Sequence, residues 1–289
     1  MRINLSKFAG FCDGVQRAFD IVMNLDISNA KIPVFVLGSL VHNPEVVRKI
    51  EEKGIRKIER EDFFKASSGE IGTLIITAHG DSPIIFETAK KRGIEVIDVT
   101  CPKVIKVQRL AKVFSQRGCK LVIVGDREHK EVRGIADWGG GEAAIVSGEE
   151  DLDNLDFEKY NKVVILAQTT QNEDFYTKIA GEIKGRNPGK DIEILSTTCS
   201  TTHERQLEVR ELARDNEAII VIGSKSSANS VRLFEIAREI NPNSCFIENV
   251  SELDSEWFHG ISSVGVTAGA STPPWVIEKT MLFLTSFKA

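Results

Sequence analysis

Eight stretches of the chain share one form, and that form leaves few folds open. Each is a short β-branched or aliphatic run that stops in small or polar residues: "PVFVLGSLVHN", "TLIITAHGD", "EVIDVTCP", "KLVIVGDREHKE", "KVVILAQTTQNE", "DIEILSTTCSTT", "AIIVIGSKSSANS" and "SVGVTAGASTPPW". The runs are continuous rather than alternating, which is the pattern of parallel strands buried on both faces. Between them lie amphipathic stretches such as "NPEVVRKIEEKG", "KVIKVQRLAKVFSQRG" and "SVRLFEIAREINP". Strand and helix in alternation predict an α/β fold with parallel sheets. In such sheets ligands bind beyond the carboxyl ends of the strands. The unusual polar residues of this chain gather at those ends.

Three of those residues are cysteines, and their meaning depends on the compartment. The chain has 289 residues, enough for two or three domains, and is 42% hydrophobic and 27% charged. A net charge of −5 argues against nucleic acid as a partner. No apolar run reaches the length of a membrane span, and "MRINLSKFAGFC" lacks the apolar core of a signal peptide. A cytoplasmic protein with reduced thiols is expected. Five cysteines in such a chain point away from a disulfide framework and toward metal binding or catalysis for some of them.

Cys12, Cys101 and Cys199 each precede a helical stretch, whose N-terminus favours thiolate. They stand at nearly equal intervals, which suggests three small units over 1–100, 101–198 and 199–289. No residue-level repeat accompanies the spacing, so repetition is expected in architecture alone. No CxxC pair supports a zinc ribbon. Three thiolates on one iron–sulfur centre would leave one iron open to substrate, although three unrelated cysteines fit the spacing equally well. Cys119 and Cys245 sit at strand starts and read as core residues. The acidic run 148–162 reads as surface.

His42, His79 and His129 lie at strand ends, while His203 and His259 fall in helical or loop contexts. Glu131, two residues after His129, is a candidate proton donor in a closed site; the competing reading is a solvated loop acid. "GSKSSANS" and "AGASTPP" offer hydroxyls, an amide and backbone N–H groups ahead of helices, a chemistry suited to phosphate or diphosphate and equally to helix capping. Neither is a Walker A or GxGxxG motif.

Taken in order, "AGFCDGV", "VHNP", "AHG", "DVTCP", "EHKEV", "AQTTQNE", "TTCSTTHERQ", "GSKSSANSVRL" and "TAGASTP" resemble the 4-hydroxy-3-methylbut-2-enyl diphosphate reductase family, from about Ala9 to Trp275. The resemblance implies three α/β units in pseudo-threefold arrangement around a central iron–sulfur cluster. It implies a 4Fe–4S cluster on Cys12, Cys101 and Cys199 with one open iron. It places an allylic diphosphate on His42, His79, Ser227, Ala228, Asn229 and Ser271. Glu131 and Thr169 would serve the hydroxyl with His129 bordering the cavity, and Gln168 would orient the group. The reaction implied is the last step of the methylerythritol phosphate route, a reductive dehydroxylation to isopentenyl and dimethylallyl diphosphates. An external donor such as ferredoxin or flavodoxin would supply electrons, and a monomer or weak homodimer is expected.

Three positions depart from the family's pattern. Lys130 stands where a proline commonly precedes the glutamate and would put a cation beside the proton donor. Ala228 replaces a serine, keeping the N–H and losing a hydroxyl. Asp13 adjoins the first cysteine. The alternatives are an iron–sulfur hydro-lyase, which would turn over without reductant, and a non-enzymatic iron–sulfur sensor, which would hold a fully ligated cluster.

Overall fold

A computed structural model describes residues 1–286. In chain order the elements are β1 (Arg2–Leu5), α1 (Asp13–Met23), β2 (Val34–Leu37), α2 (Pro44–Glu52), β3 (Arg56–Ile58), α3 (Arg60–Lys65), β4 (Thr73–Ile76), α4 (Pro83–Lys91) and β5 (Glu95–Asp98). Then come α5 (Pro102–Gln116), β6 (Lys120–Val124), α6 (Lys130–Trp138), β7 (Ala144–Val146), β8 (Lys162–Ala167), α7 (Glu173–Arg186) and β9 (Asp191–Ile194). The last are α8 (Ser200–Asp215), β10 (Ala218–Ile222), α9 (Ala228–Ile240), β11 (Ser244–Ile247), β12 (Ser263–Ala268) and α10 (Pro274–Ser286).

The described strands make three four-stranded sheets, in the orders β3-β2-β4-β5, β7-β6-β8-β9 and β1-β12-β10-β11. All pairings are parallel, as the unbroken apolar runs require. Alternate residues of β6 and β8 feed two separate cores: Val122, Val124, Val163 and Ile165 on one face, Leu121, Ile123, Val164 and Leu166 on the other. β10 is divided in the same way, with Ile220 and Ile222 facing one core and Ile219 and Val221 the other. The acidic run folds into a 3-10 turn, Glu149–Asn154, that buries Leu152.

The first two sheets place their strands alike, the second in sequence at one edge, then the first, third and fourth. The third sheet reads the same way once β11, β10 and β12 are taken as second, first and third. Its fourth place is filled by β1, with Leu5 in register with Val266. The repeat is therefore architectural, and the expected segment 1–100 gives its first strand to the sheet of the last segment. That strand covers an edge of β12 that would otherwise stand unpaired. Contacts group the chain into two compact units. One comprises Met1–Phe19 and Val41–Glu52 with the segment from Ser200 onward; the other comprises Asp20–Leu40 and Lys53–Cys199. No helix among the described residues is long and apolar enough to cross a membrane.

Candidate functional site

A sheet ordered second, first, third, fourth reverses its winding between the first and third strands, and the crevice beyond their carboxyl ends is where ligands bind. Every candidate residue lies after a first, third or fourth strand. His42, His129 with Glu131, and Ser227 with Asn229 follow the first strands β2, β6 and β10. His79, Gln168 with Thr169, and Ser271 follow the third strands β4, β8 and β12. Cys12, Cys101 and Cys199 follow the fourth strands β1, β5 and β9, and each stands directly before a helix, α1, α5 or α8. The three thiols are thus topological equivalents, while Cys119 and Cys245 are not.

In the unit built on the first two sheets, Glu131 is the most constrained group. It sits in the first turn of α6, whose N-cap is His129, and is 1% exposed. Thr169 donates to it twice, from the backbone N–H to Oε1 at 2.6 Å and from the hydroxyl to Oε2 at 3.0 Å. Burial pushes its carboxyl up to about 7, against the two Thr169 bonds that pull it down. The reading of Glu131 as a solvated loop acid is therefore wrong: α6 begins early enough to carry the side chain inward. Gln168 braces the same crevice, accepting from Asp126 N–H at 3.0 Å and donating to Thr170 Oγ1 at 3.1 Å.

The two histidines of this unit stack edge to face, with ring centroids 5.3 Å apart at 84°. His129 Nδ1 accepts from Glu131 N–H at 3.2 Å, which leaves the proton of its neutral form on Nε2. Gly80, after His79, has φ +71°, and a Cβ there would collide with the Gln108 amide, so the "AHG" turn needs glycine. The same turn is tied to the cysteine loop by Cys101 N–H donating to Ala78 O at 3.0 Å. Cys199 N–H donates to Thr169 O at 2.7 Å, linking the third cysteine to the Glu131 crevice.

Lys130 does not behave as its position suggests. Its ammonium lies over Gly38, where a Cβ would meet it; it adds to Lys57 in holding Glu59 down and partly offsets the burial that raises Asp81. Glu131 is instead governed by its burial and the two Thr169 bonds. The expectation of a cation beside the proton donor is corrected: successive helical residues point about 100° apart, so Lys130 and Glu131 face different neighbours.

In the other unit, Ser227 is the N-cap of α9 but its side chain caps nothing. Its hydroxyl instead receives that of Ser271 at 3.3 Å, and the Ser271 hydroxyl also lies 3.4 Å from His42 O. Asn229, 6% exposed, has neither amide atom bonded within the protein. A buried Nδ2 left without an acceptor, beside the free N–H groups of a helix start, fits an anion with several oxygens. Ala228 lies between Ser227 and Asn229 and offers only its N–H. Cys12 N–H donates to Ala270 O at 3.3 Å, joining the first cysteine to the "AGAS" loop.

Two residues not singled out from the sequence complete the frame. Arg205 on α8, 3% exposed, donates to Ala268 O at 3.0 Å and Gly10 O at 2.7 Å, fixing the loops on either side of Cys12. Its only signal was its place in the charged and polar "HERQ". Lys103, two residues after Cys101, places Nζ 3.0 Å from Cys199 Sγ. An ammonium on that sulfur and helix N-termini behind all three cysteines form a donor set suited to thiolate ligation. Cys245 is the opposite case, its thiol pushed up to about 12 by burial.

Comparison with known proteins bears on the whole chain. The model of the LytB protein family matches residues 3–285. A curated 4-hydroxy-3-methylbut-2-enyl diphosphate reductase from Pelobacter propionicus is 39% identical over 97% of this chain and 96% of its own length. The reductase of the same name from Aquifex aeolicus is 37% identical over 96% and 93%. A solved (E)-4-hydroxy-3-methyl-but-2-enyl diphosphate reductase, described as the terminal enzyme of the non-mevalonate pathway, superposes with a TM-score of 0.71. It is 36% identical, covering 99% of this chain and all of that one. The E-1-hydroxy-2-methyl-but-2-enyl-4-diphosphate reductase of Plasmodium falciparum gives 0.88 at 30% identity, over 99% and 87%. The recurring sheets, the equivalent cysteines and these full-length likenesses agree: the chain belongs to the LytB family.

Proposed function

We propose that this chain is a 4-hydroxy-3-methylbut-2-enyl diphosphate reductase, an oxidoreductase of isoprenoid biosynthesis. The substrate loses its allylic hydroxyl by taking up two electrons and two protons, and the products are isopentenyl or dimethylallyl diphosphate and water. The observation that carries the reading is Glu131: a buried carboxyl held by Thr169 and poised near neutrality, in a chain related to such reductases over its full length. The hydro-lyase and sensor alternatives have no observation in their favour.

The cofactor we assign is a 4Fe–4S cluster on Cys12, Cys101 and Cys199, each at the same topological position before a helix. When bound, it supplies the electrons and an open iron as Lewis acid. The protein's residues supply the rest. Ser227, Asn229 and Ser271, with His42 and His79, hold the diphosphate; the open amide of Asn229 and the uncapped start of α9 support this assignment. Glu131, protonated in a large fraction of molecules near pH 7, delivers a proton to the departing hydroxyl. The Thr169 hydroxyl can donate to the carboxylate or accept from the acid, so it follows the proton without rearrangement of the backbone. His129, with its proton on Nε2, borders the group, and Gln168 holds the β8 loop in place.

Anaerobic protein reconstituted with iron and sulfide, given reduced methyl viologen and the substrate, should form both diphosphate products. Unchanged substrate under reductant would reject the reading, and turnover without reductant would favour a hydro-lyase.

A further inference from the structure

Helix α5 breaks local rules of charge placement. It carries Lys103, Lys106, Arg109 and Lys112 and no acidic residue, in a chain with 42 acidic and 37 basic side chains. Residues three apart are neighbours on a helix, so these cations repel one another along a stripe. The first of them stands in the first turn, where the helix dipole disfavours positive charge. Among the described residues, neither Lys106 nor Arg109 forms an ion pair. Lys103 meets Cys199 Sγ and Lys112 lies over the Trp138 ring, so the departure left without local compensation is that of Lys106 and Arg109, and such departures mark function.

The stripe also borders an apolar groove of about 380 Å³, lined by Pro102, Ile105, Lys106, Arg109, Leu110 and Val113. Val113 is 40% exposed. The helix starts at Cys101, and Lys103 reaches Cys199 Sγ at 3.0 Å, so the surface leads directly to two of the three assigned cluster ligands.

We propose that the exposed face of α5 docks a small acidic protein carrying a low-potential one-electron centre. The proposal rests on the reductase reading, which requires two electrons per turnover. Each visit oxidises one carrier and passes one electron inward, so two reduced carriers are consumed for each C–O bond broken and each water released. Charge complementarity selects the partner: the protein is acidic overall, so an acidic carrier is repelled except where the stripe faces it. Ile105, Leu110 and Val113 supply apolar contact, and Lys106 and Arg109 line the same groove.

The test uses reconstituted holoenzyme, a reduced acidic ferredoxin, and the double variant Lys106→Glu/Arg109→Glu. Lys90→Glu/Lys91→Glu on α4 is the control of equal charge. The α5 variant should raise KM for ferredoxin about tenfold at low ionic strength and lose the salt dependence of the wild type. Its turnover with reduced methyl viologen should stay at the wild-type level. An unchanged KM, or an equal rise in the α4 control, would overturn the proposal. If viologen turnover also falls, the Kd of ferredoxin for each holoenzyme decides, and equal values reject the docking face. A wild-type enzyme inactive with viologen would reject the reductase reading instead, and the same Kd comparison would still decide the surface.

Discussion

Thr169 holds both oxygens of Glu131, one through its backbone N–H at 2.6 Å and the other through its hydroxyl at 3.0 Å. The pair joins the loop after β8 to the first turn of α6, across the point where the sheet reverses its winding. Burial raises the carboxyl and these two bonds lower it, so a pKa of about 7 is a balance of the two effects.

That balance sets the pH dependence of turnover. The acid form is lost as pH rises through about 7, so kcat limited by proton delivery should decline above it. Glu131→Gln should lower kcat by about 10²-fold or more with iron content and absorption unchanged. Thr169→Val removes a bond that favours the carboxylate, so the alkaline limb should move to higher pH. A pH–kcat series under saturating reductant checks both.

The same group leaves a mark on stability. Its folded pKa, about 7, lies above the ordinary carboxyl value of 4.5, so the folded state binds the extra proton between them. The stabilisation is complete below 4.5 and is lost as pH rises toward and through 7, on the order of 3 kcal/mol. Glu131→Gln has no such proton to lose. Denaturant melts should show the variant gaining on the wild type between pH 5 and pH 7.5.

Asn229 should separate binding from stability. Both its amide atoms are buried without a protein partner, so truncation removes no internal bond. Asn229→Ala should weaken diphosphate binding by about 1–3 kcal/mol and leave the melting temperature nearly unchanged. Calorimetry with inorganic diphosphate and a thermal melt read the two effects.

The cysteines should divide in two groups. Cys101→Ser should lose cluster iron and the visible absorption of the anaerobic protein. Cys245→Ser should keep both, since burial holds that thiol protonated, up to about 12.

Lys130→Pro tests the direction of that side chain. Lys130 is the first residue of α6, a position proline accepts. Its ammonium lies over Gly38 and acts on Glu59 and Asp81. The alkaline limb of turnover should therefore stay in place. A shift of one pH unit would show that the cation reaches Glu131.

The parallel α/β class, the strand-end position of every candidate residue and the helix behind each of the three cysteines are legible in local pattern. Strands such as β8 and β10 are buried on both faces, and burial writes itself as an unbroken apolar run. β1, β3 and β7 were not legible: each is three or four residues long and lies at a sheet edge, where one flank meets no partner strand and "RINL" or "RKI" suffices. Folding alone brings β1 to the sheet of β12, which makes Cys12 the equivalent of Cys101 and Cys199. It alone decided that Glu131 is buried against Thr169, 38 residues away, while Lys130 beside it turns to Gly38. Local pattern records how much of a segment is buried. Where a side chain points, and which group it meets, depends on partners that the chain brings together only by folding.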